Sequence, residues 1–447
     1  MSRPGARVAL ACAALACGAA LAHGQATVVF RTAPPDAALL DASARGLDTA
    51  LRLRAADNGG RAAELPAGTH EITLIAEGYR SARVTVAVPY GTGGAPLVVE
   101  AKLERASSFL RLARVIATGR RPKSVEFTPD GRYVVVAPLS DDAVELFDPR
   151  TGRLVASMAP PERWARSQGF VETAFPAGRG ELWVSQMYTD LVHVFSLDDF
   201  SYLRSVPCGG LFPKVLLAHP DGRAFVSNWL SETVSVLSAD GAERLGSMRA
   251  GSTPRGLALS PDGGTLYVAN FGNGSIEAFD ARSYTRLPAP FGRAAAPRAG
   301  SAKRHLVVDP VRNRLYASDM GRGSVFAYDL AEDRQLAEIA IAPNAKTNTI
   351  ALSPDGRWLY VSTRGPNNPV DYERKGPAFG ELLVVDTDSL AIVERHWGGN
   401  QPTGLAVSPD GRLVVFTDFL DRRVEVYERV EALAHSLRRR TALRSIP

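Results

Sequence analysis

The residues able to do chemistry in this chain recur at fixed registers of a long repeat. Aligned on a repeated turn, Lys123, Lys214, Arg255, Arg304, Asn348 and Thr403 fall at one equivalent position, and four of these six are cationic. Glu172 and His305 fall within a residue or two of that level. A second register holds Gln186, Asn228, Asn270, Asp319, Thr363 and Asp418. Positive charge gathered in a low-dielectric funnel attracts an anion. The oxygens of Glu172, Asn228, Asn270, Asp319 and Asp418 are hard donors of the kind that suits Ca²⁺. The structural alternative is that the cations pair with ring carboxylates, while Asn or Asp at a strand end caps a turn.

Compact catalytic motifs are absent. The chain has no G-x-S-x-G elbow, no H-E-x-x-H pair and no glycine-rich phosphate loop between a strand and a helix. Its three cysteines are Cys12, Cys17 and Cys208, and no Cys/His cluster has zinc spacing. Cys208 precedes Gly209-Gly210 in a loop and reads as a bystander.

The elements that position these registers come from a repeat with a period in the forties. Each unit carries an apolar strand, a Ser-Pro-Asp-Gly-like turn and two further strands. The turn stands at Thr128–Gly131, His219–Gly222, Ser260–Gly263, Ser353–Gly356 and Ser408–Gly411, with degenerate copies at Phe175–Gly178 and Asp309–Val311, making seven. Pro presets φ, Asp bonds its own backbone and Gly accepts positive φ. Four short antiparallel strands repeated seven times describe a propeller. The last unit lacks its fourth strand, and an orphan strand at Phe109–Ile116 is placed to supply it and close the ring. In such a ring the first strands start, and the second strands end, at the top of a central channel. Three long insertions, 159–169, 287–303 and 364–380, join strands at that same face. Trp164, Trp229, Tyr372 and Phe379 offer stacking surface there.

Leu266-Tyr-Val-Ala-Asn270 and Leu359-Tyr-Val-Ser-Thr363 resemble the motif of the YVTN family of bacterial β-propellers, over about 320 residues. That resemblance implies the fold. Related propellers include lactonases, dehydrogenase subunits, DNA-binding periplasmic proteins and surface-layer proteins. In front of the repeats, period-two strands at Ala26–Phe30, Thr69–Leu74, Ala82–Val88 and Val98–Leu103 read as a small antiparallel sandwich. Leu65-Pro-Ala-Gly-Thr-His-Glu-Ile72 followed by Glu77-Gly-Tyr79 resembles the PEGA family of surface β-sandwich modules, which implies a spacer. His70 is expected to serve its turn.

Residues 1–22 read as a secretory leader: Arg3 and Arg7, an apolar run from Val8 to Ala22, then Ala20-Leu-Ala22 as a cleavage signal. Ala14-Leu-Ala-Cys17 resembles a lipobox, which implies Cys17 as a point of lipid attachment to a membrane. The net charge of +5 over 447 residues is too thin to indicate nucleic acid without clustering.

The sequence therefore reads as an all-β protein, a seven-bladed β-propeller preceded by a small antiparallel β-sandwich. The segments are a leader (1–22), a PEGA-like sandwich (26–104), a propeller (109–430, closed by the strand 109–116) and a basic tail (431–447). The expected location is the periplasm or surface of a bacterium. The expected role is non-enzymatic binding of an anionic small molecule, a glycan or a partner protein at the top face. The site residues would be Lys123, Glu172, Lys214, Asn228, Arg255, Asn270, Arg304, His305, Asp319, Asn348, Arg364 and Asp418. Two alternatives stay open: a lactonase-like hydrolase using a top-face metal or the Glu172/His305 pair, and a periplasmic nucleic-acid binder. Calcium is the one cofactor that the residue types suggest.

Overall fold

The computed structural model describes residues 25–430, apart from 34, 36, 42–48, 57–58, 76–81, 91–94, 104–109 and 162–167. The leader, Cys17, the turn at Glu77–Tyr79, Trp164 and the basic tail lie outside the described residues. Among those described there is no α-helix, and the strands form nine small sheets. By internal packing the chain divides into residues 1–117 with 427–447, and residues 118–426.

The front sheets are two, of four strands each. Their alternation buries Val28, Phe30, Ile72, Leu74, Val84 and Val86 in one core. The expected antiparallel arrangement holds except at one pair: Gln25–Ala33 runs parallel to Leu97–Lys102. Between those two strands the chain crosses to the second sheet twice, and it comes back in the direction in which it first set out. His70 is buried, with Nδ1 2.8 Å from Asp41 and Nε2 2.8 Å from the Pro66 carbonyl, which fixes the turn it was expected to serve.

The seven remaining sheets are the blades, six of them ordered as the chain runs. Their inner strands are Pro122–Phe127, Phe170–Ala174, Pro213–Ala218, Pro254–Leu259, Lys303–Asp309, Thr347–Leu352 and Pro402–Val407. In the seventh, the fourth strand is Leu110–Ala117, from ahead of the first blade. The Pro-Asp-Gly turns close as their chemistry dictates. Gly411 N–H donates to the Ser408 carbonyl at 2.8 Å with φ +70°, and the Ser408 hydroxyl bonds Asp410. Apolar layers sit between successive blades. Val215, Phe225 and Val236 of the third meet Leu257, Leu266 and Val268 of the fourth.

The fourth blade departs from the repeat, with three regular strands. The insertion at 287–303 occupies the place of the missing one: Phe291 stacks 4.4 Å from Tyr328, and the Ala295 carbonyl accepts from Ile276 N–H at 2.9 Å. That insertion was expected at the top face as a candidate binding loop. It packs instead because the third strand would otherwise leave an open edge.

Candidate functional site

Two local features repeat where the inner strands begin. The residue ahead of the strand takes left-handed backbone in five blades, at Arg121, Phe212, Thr253, Lys346 and Gln401. Its carbonyl accepts from the residue that follows the second strand, as in Trp229 N–H to Phe212 O and Phe419 N–H to Gln401 O. One or two residues on, every inner strand carries a register shift, for example between Pro213 and Leu216 and between Lys303 and His305. A bulge takes its extra residue out of the ladder and re-aims side chains. The bulges hold Lys123, Glu172, Lys214, Arg255, Arg304, Asn348 and Thr403.

Serine hydroxyls fix the bulges. Ser227 Oγ accepts from Val215 N–H at 3.0 Å and donates to the Arg255 carbonyl of the next blade at 2.9 Å. Ser185 links Glu172 to Lys214 in the same way, and Ser318 links His305 to Asn348. Sequence reasoning missed this relay. Its signal was a Ser or Thr directly before the second-register residue, at 185, 227, 318, 362 and 417.

The first register converges on one channel. Arg255 Nη2 donates to Glu172 at 3.2 Å from across it. Burial, then Arg304, Arg364, Arg255 and Lys214, holds Lys123 well below the usual lysine range. Burial, aided by Arg255 and Arg304, brings Lys214 down to about 7. Arg304 is depressed by burial, then by Arg255 and Arg364, and burial takes Arg364 to about 10. Five cations thus share one region of field. Among the described residues, Arg255 Nη1, Arg304 Nε and Nη2, and Arg364 Nε are buried without a hydrogen-bond partner. Buried donors left in this way cost free energy unless a ligand or water takes them.

Beneath the cations lies a cavity of about 250 Å³, lined by Glu126, Glu172, His305, Ser124, Thr349 and apolar side chains. Burial raises Glu172 even though Arg255, Arg304, Lys123 and Lys214 pull it down. Burial, with like-charge repulsion from Glu172, lifts Glu126 to about 7. His305 is driven down to about 3 by burial and then by Arg255 and Arg304, so its imidazole is neutral, and Nδ1 has no partner among the described residues. Glu126 was not among the expected site residues. By strand register its equivalents are Ala174, Leu217, Ala258, Val307, Ala351 and Ala406, so a lone acid among apolar residues was the available signal.

The second register stays inside the blades. Asn228 Nδ2 donates to Ser235 at 2.8 Å and Asn270 Nδ2 to Ser275 at 2.9 Å. Asp319 accepts from Ala302 N–H at 2.8 Å and from the Ser301 hydroxyl. Asp418 accepts from Gly399 N–H and from Arg423, each at 2.6 Å. Asn348, of the first register, reaches the Pro402 carbonyl of the next blade at 3.1 Å. The Oδ1 atoms of Asn228, Asn270 and Asn348 are buried without a hydrogen-bond partner among the described residues, where no group of three His, Cys, Asp or Glu is arranged for a metal. Cys208 is buried, donates to Gly210 O at 3.0 Å and is pushed up to about 11 by burial, which keeps it a thiol.

Above the cations the residues after the second strands form a largely apolar ring: Leu139, Met187, Trp229, Phe271, Met320 and Phe419, with Arg364 as the seventh. Arg364 lies over Phe419 and Tyr372. The 364–380 loop is tied down by Gln401 Nε2 to Tyr372 O at 2.6 Å, Gly376 N–H to Asn400 at 2.8 Å and Arg121 to Glu373 at 2.8 Å.

Fold and channel together define a β-propeller repeat protein with a cation-lined central site. Residues 242–349 and 338–435 match the family described as lactonase, 7-bladed beta-propeller. The chain is 39% identical over 316 residues to antigen Lp49 of Leptospira interrogans serogroup Icterohaemorrhagiae serovar copenhageni, covering 70% of this chain and 68% of that one, and it belongs to the same family. A chain of the Kuenenia stuttgartiensis hydrazine synthase, 18% identical, superposes with a TM-score of 0.59 over 70% of this chain and 97% of its own, which shows the fold alone. The match to a hydrolase family corrects the expectation of a protein without catalytic activity. This is a propeller related to lactonase-type hydrolases, and a relative named as an antigen agrees with export.

Proposed function

We propose that this chain is an exported lactonase-type hydrolase acting on a small lactone that carries an anionic group. The observation that carries the reading is the carboxyl pair Glu126 and Glu172 lining one cavity below five cations. The cations hold the anionic group of the substrate. Glu126, poised near neutrality, takes the proton of a water as that water adds to the lactone carbonyl. Unpartnered N–H groups of Arg304 and Arg255 receive the developing oxyanion. The ring C–O bond then breaks, and the proton passes from Glu126 to the departing alkoxide, giving a hydroxy acid. Glu172 stays tied to Arg255, and neutral His305 orients the water.

Burial of the cations within a channel favours a small anion over a nucleic acid, a glycan or a protein surface. The YVTN reading of the repeats, the PEGA-like reading of the front domain and a periplasmic or surface location belong with this proposal and rest on the motifs quoted above. The test is proton release from carboxylated, phosphorylated and uncharged lactones. Turnover confined to the anionic ones, with kcat lowered ~100-fold or more in Glu126→Gln at similar KM, is the expected result. No turnover of any lactone, or a fully active Glu126→Gln, overturns it.

A further inference from the structure

The channel mouth is not uniform around its circumference. At the residue after the apolar ring, the fourth, fifth and sixth blades carry Gly272, Gly321 and Gly365, while the second and third carry Tyr188 and Leu230. Tyr188, Leu230 and the neighbouring Leu211 are 58%, 61% and 53% exposed, although all three are large and apolar. They are continuous with one another and with the cationic site. Leu230 N–H donates to the Leu211 carbonyl at 3.2 Å, and the Tyr188 ring lies 5.8 Å from that of Phe212.

Phe212 in turn faces Lys214, whose Nζ stands 4.2 Å from the centre of that ring and 5.3 Å from that of Trp229. Met187 Sδ is 3.0 Å away. Trp229 continues into Phe271, 5.2 Å between centroids. A cation set among aromatic faces, opening onto one apolar sector of the rim, fits a ligand that is charged at one end and apolar at the other. Apolar surface left in contact with a charged site marks recognition more often than chance exposure.

We infer that the anionic ligand of the channel carries an apolar acyl or aryl tail, which leaves the site past Lys214 over the lip formed by Tyr188, Leu211 and Leu230. This rests on the anion site proposed above and adds the class of molecule it takes, an amphiphilic carboxylate. The head neutralises the buried cations. The tail removes this exposed apolar surface from water.

The full chain would be titrated calorimetrically with butanoate, hexanoate, octanoate, decanoate and 4-phenylbutanoate, below their self-association concentrations. Affinity should rise ~2-fold per methylene, about half the gain of full burial, with a negative heat-capacity change. In Leu211→Ser/Leu230→Ser, and separately in Tyr188→Ser, that gain should fall away while butanoate affinity stays the same. Both variants change exposed side chains, so an unchanged melting temperature confirms the fold. The phenyl arm separates an aryl from an acyl tail. Equal affinity for all chain lengths, or a gain the variants leave intact, overturns the tail. A variant effect confined to self-association or to binding of neutral lipid vesicles overturns it in favour of a partner copy or a membrane. Failure of every carboxylate to bind removes the anion site itself, and the tail with it.

Discussion

Replacing Glu126 with Gln should make the protein more stable and less active, and the stability gain should depend on pH. Burial lifts this carboxyl from its ordinary 4.5 to about 7. A carboxyl whose folded pKa lies above its unfolded one binds more protons when folded, so native stability falls as pH rises from 4.5 to about 7 and stays lowered above that. The full shift corresponds to about 3 kcal/mol. Glu126 is half-buried, and solvent screening reduces this to ~1 kcal/mol. Glutamine keeps the shape and never ionises. At pH 8.5 the variant should melt roughly 2–4 °C above the parent. At pH 5 the two should nearly coincide. A difference of equal size at both pH values, or a variant less stable at pH 8.5, would refute the claim that Glu126 ionises at a cost in the cavity. The same protein should have lost lactone hydrolysis, so one substitution reads both the strain and its use.

Three further outcomes are expected. Ser227→Ala leaves the Val215 N–H and the Arg255 carbonyl without their shared hydroxyl, and urea unfolding should show a loss of about 1–3 kcal/mol. Gly404→Val sets a Cβ 2.7 Å from Ser124 Cα, backbone of the first blade; the melting temperature should drop by several degrees, because backbone cannot give way as a side-chain tip can. Lys214→Ala/Arg255→Ala removes two of the five cations and should weaken butanoate binding ~100-fold and flatten its salt dependence, as read by titration at two ionic strengths.

The sequence determined the blades. Turn chemistry at Ser408–Gly411 and its copies, period-two alternation and a strand left over ahead of the first repeat were enough to give a closed ring of seven. These are local properties, and repetition let each copy confirm the others. The register of Lys123, Lys214, Arg255 and Arg304 was legible for the same reason: equivalent positions in equivalent blades reach one axis. What the repeat could not give is which side chains turn toward that axis. Asn228, Asn270, Asp319 and Asp418 share a level with the cations, yet they close hydrogen bonds inside their own blades.

Glu126 is set apart only by its six apolar equivalents and by the cavity it shares with Glu172. Residues 287–303 read as a loop at the mouth and became the filling of an incomplete blade. For Glu126 and the insertion the reason is tertiary, a cavity shared across blades and an open strand edge; for the first register it is the bulge. Strand alternation assigns faces only while the ladder is regular, and every inner strand here is broken by a bulge just where the site begins. Beyond that break, direction is set by partners on neighbouring blades, far away in sequence and brought close only by closure of the ring.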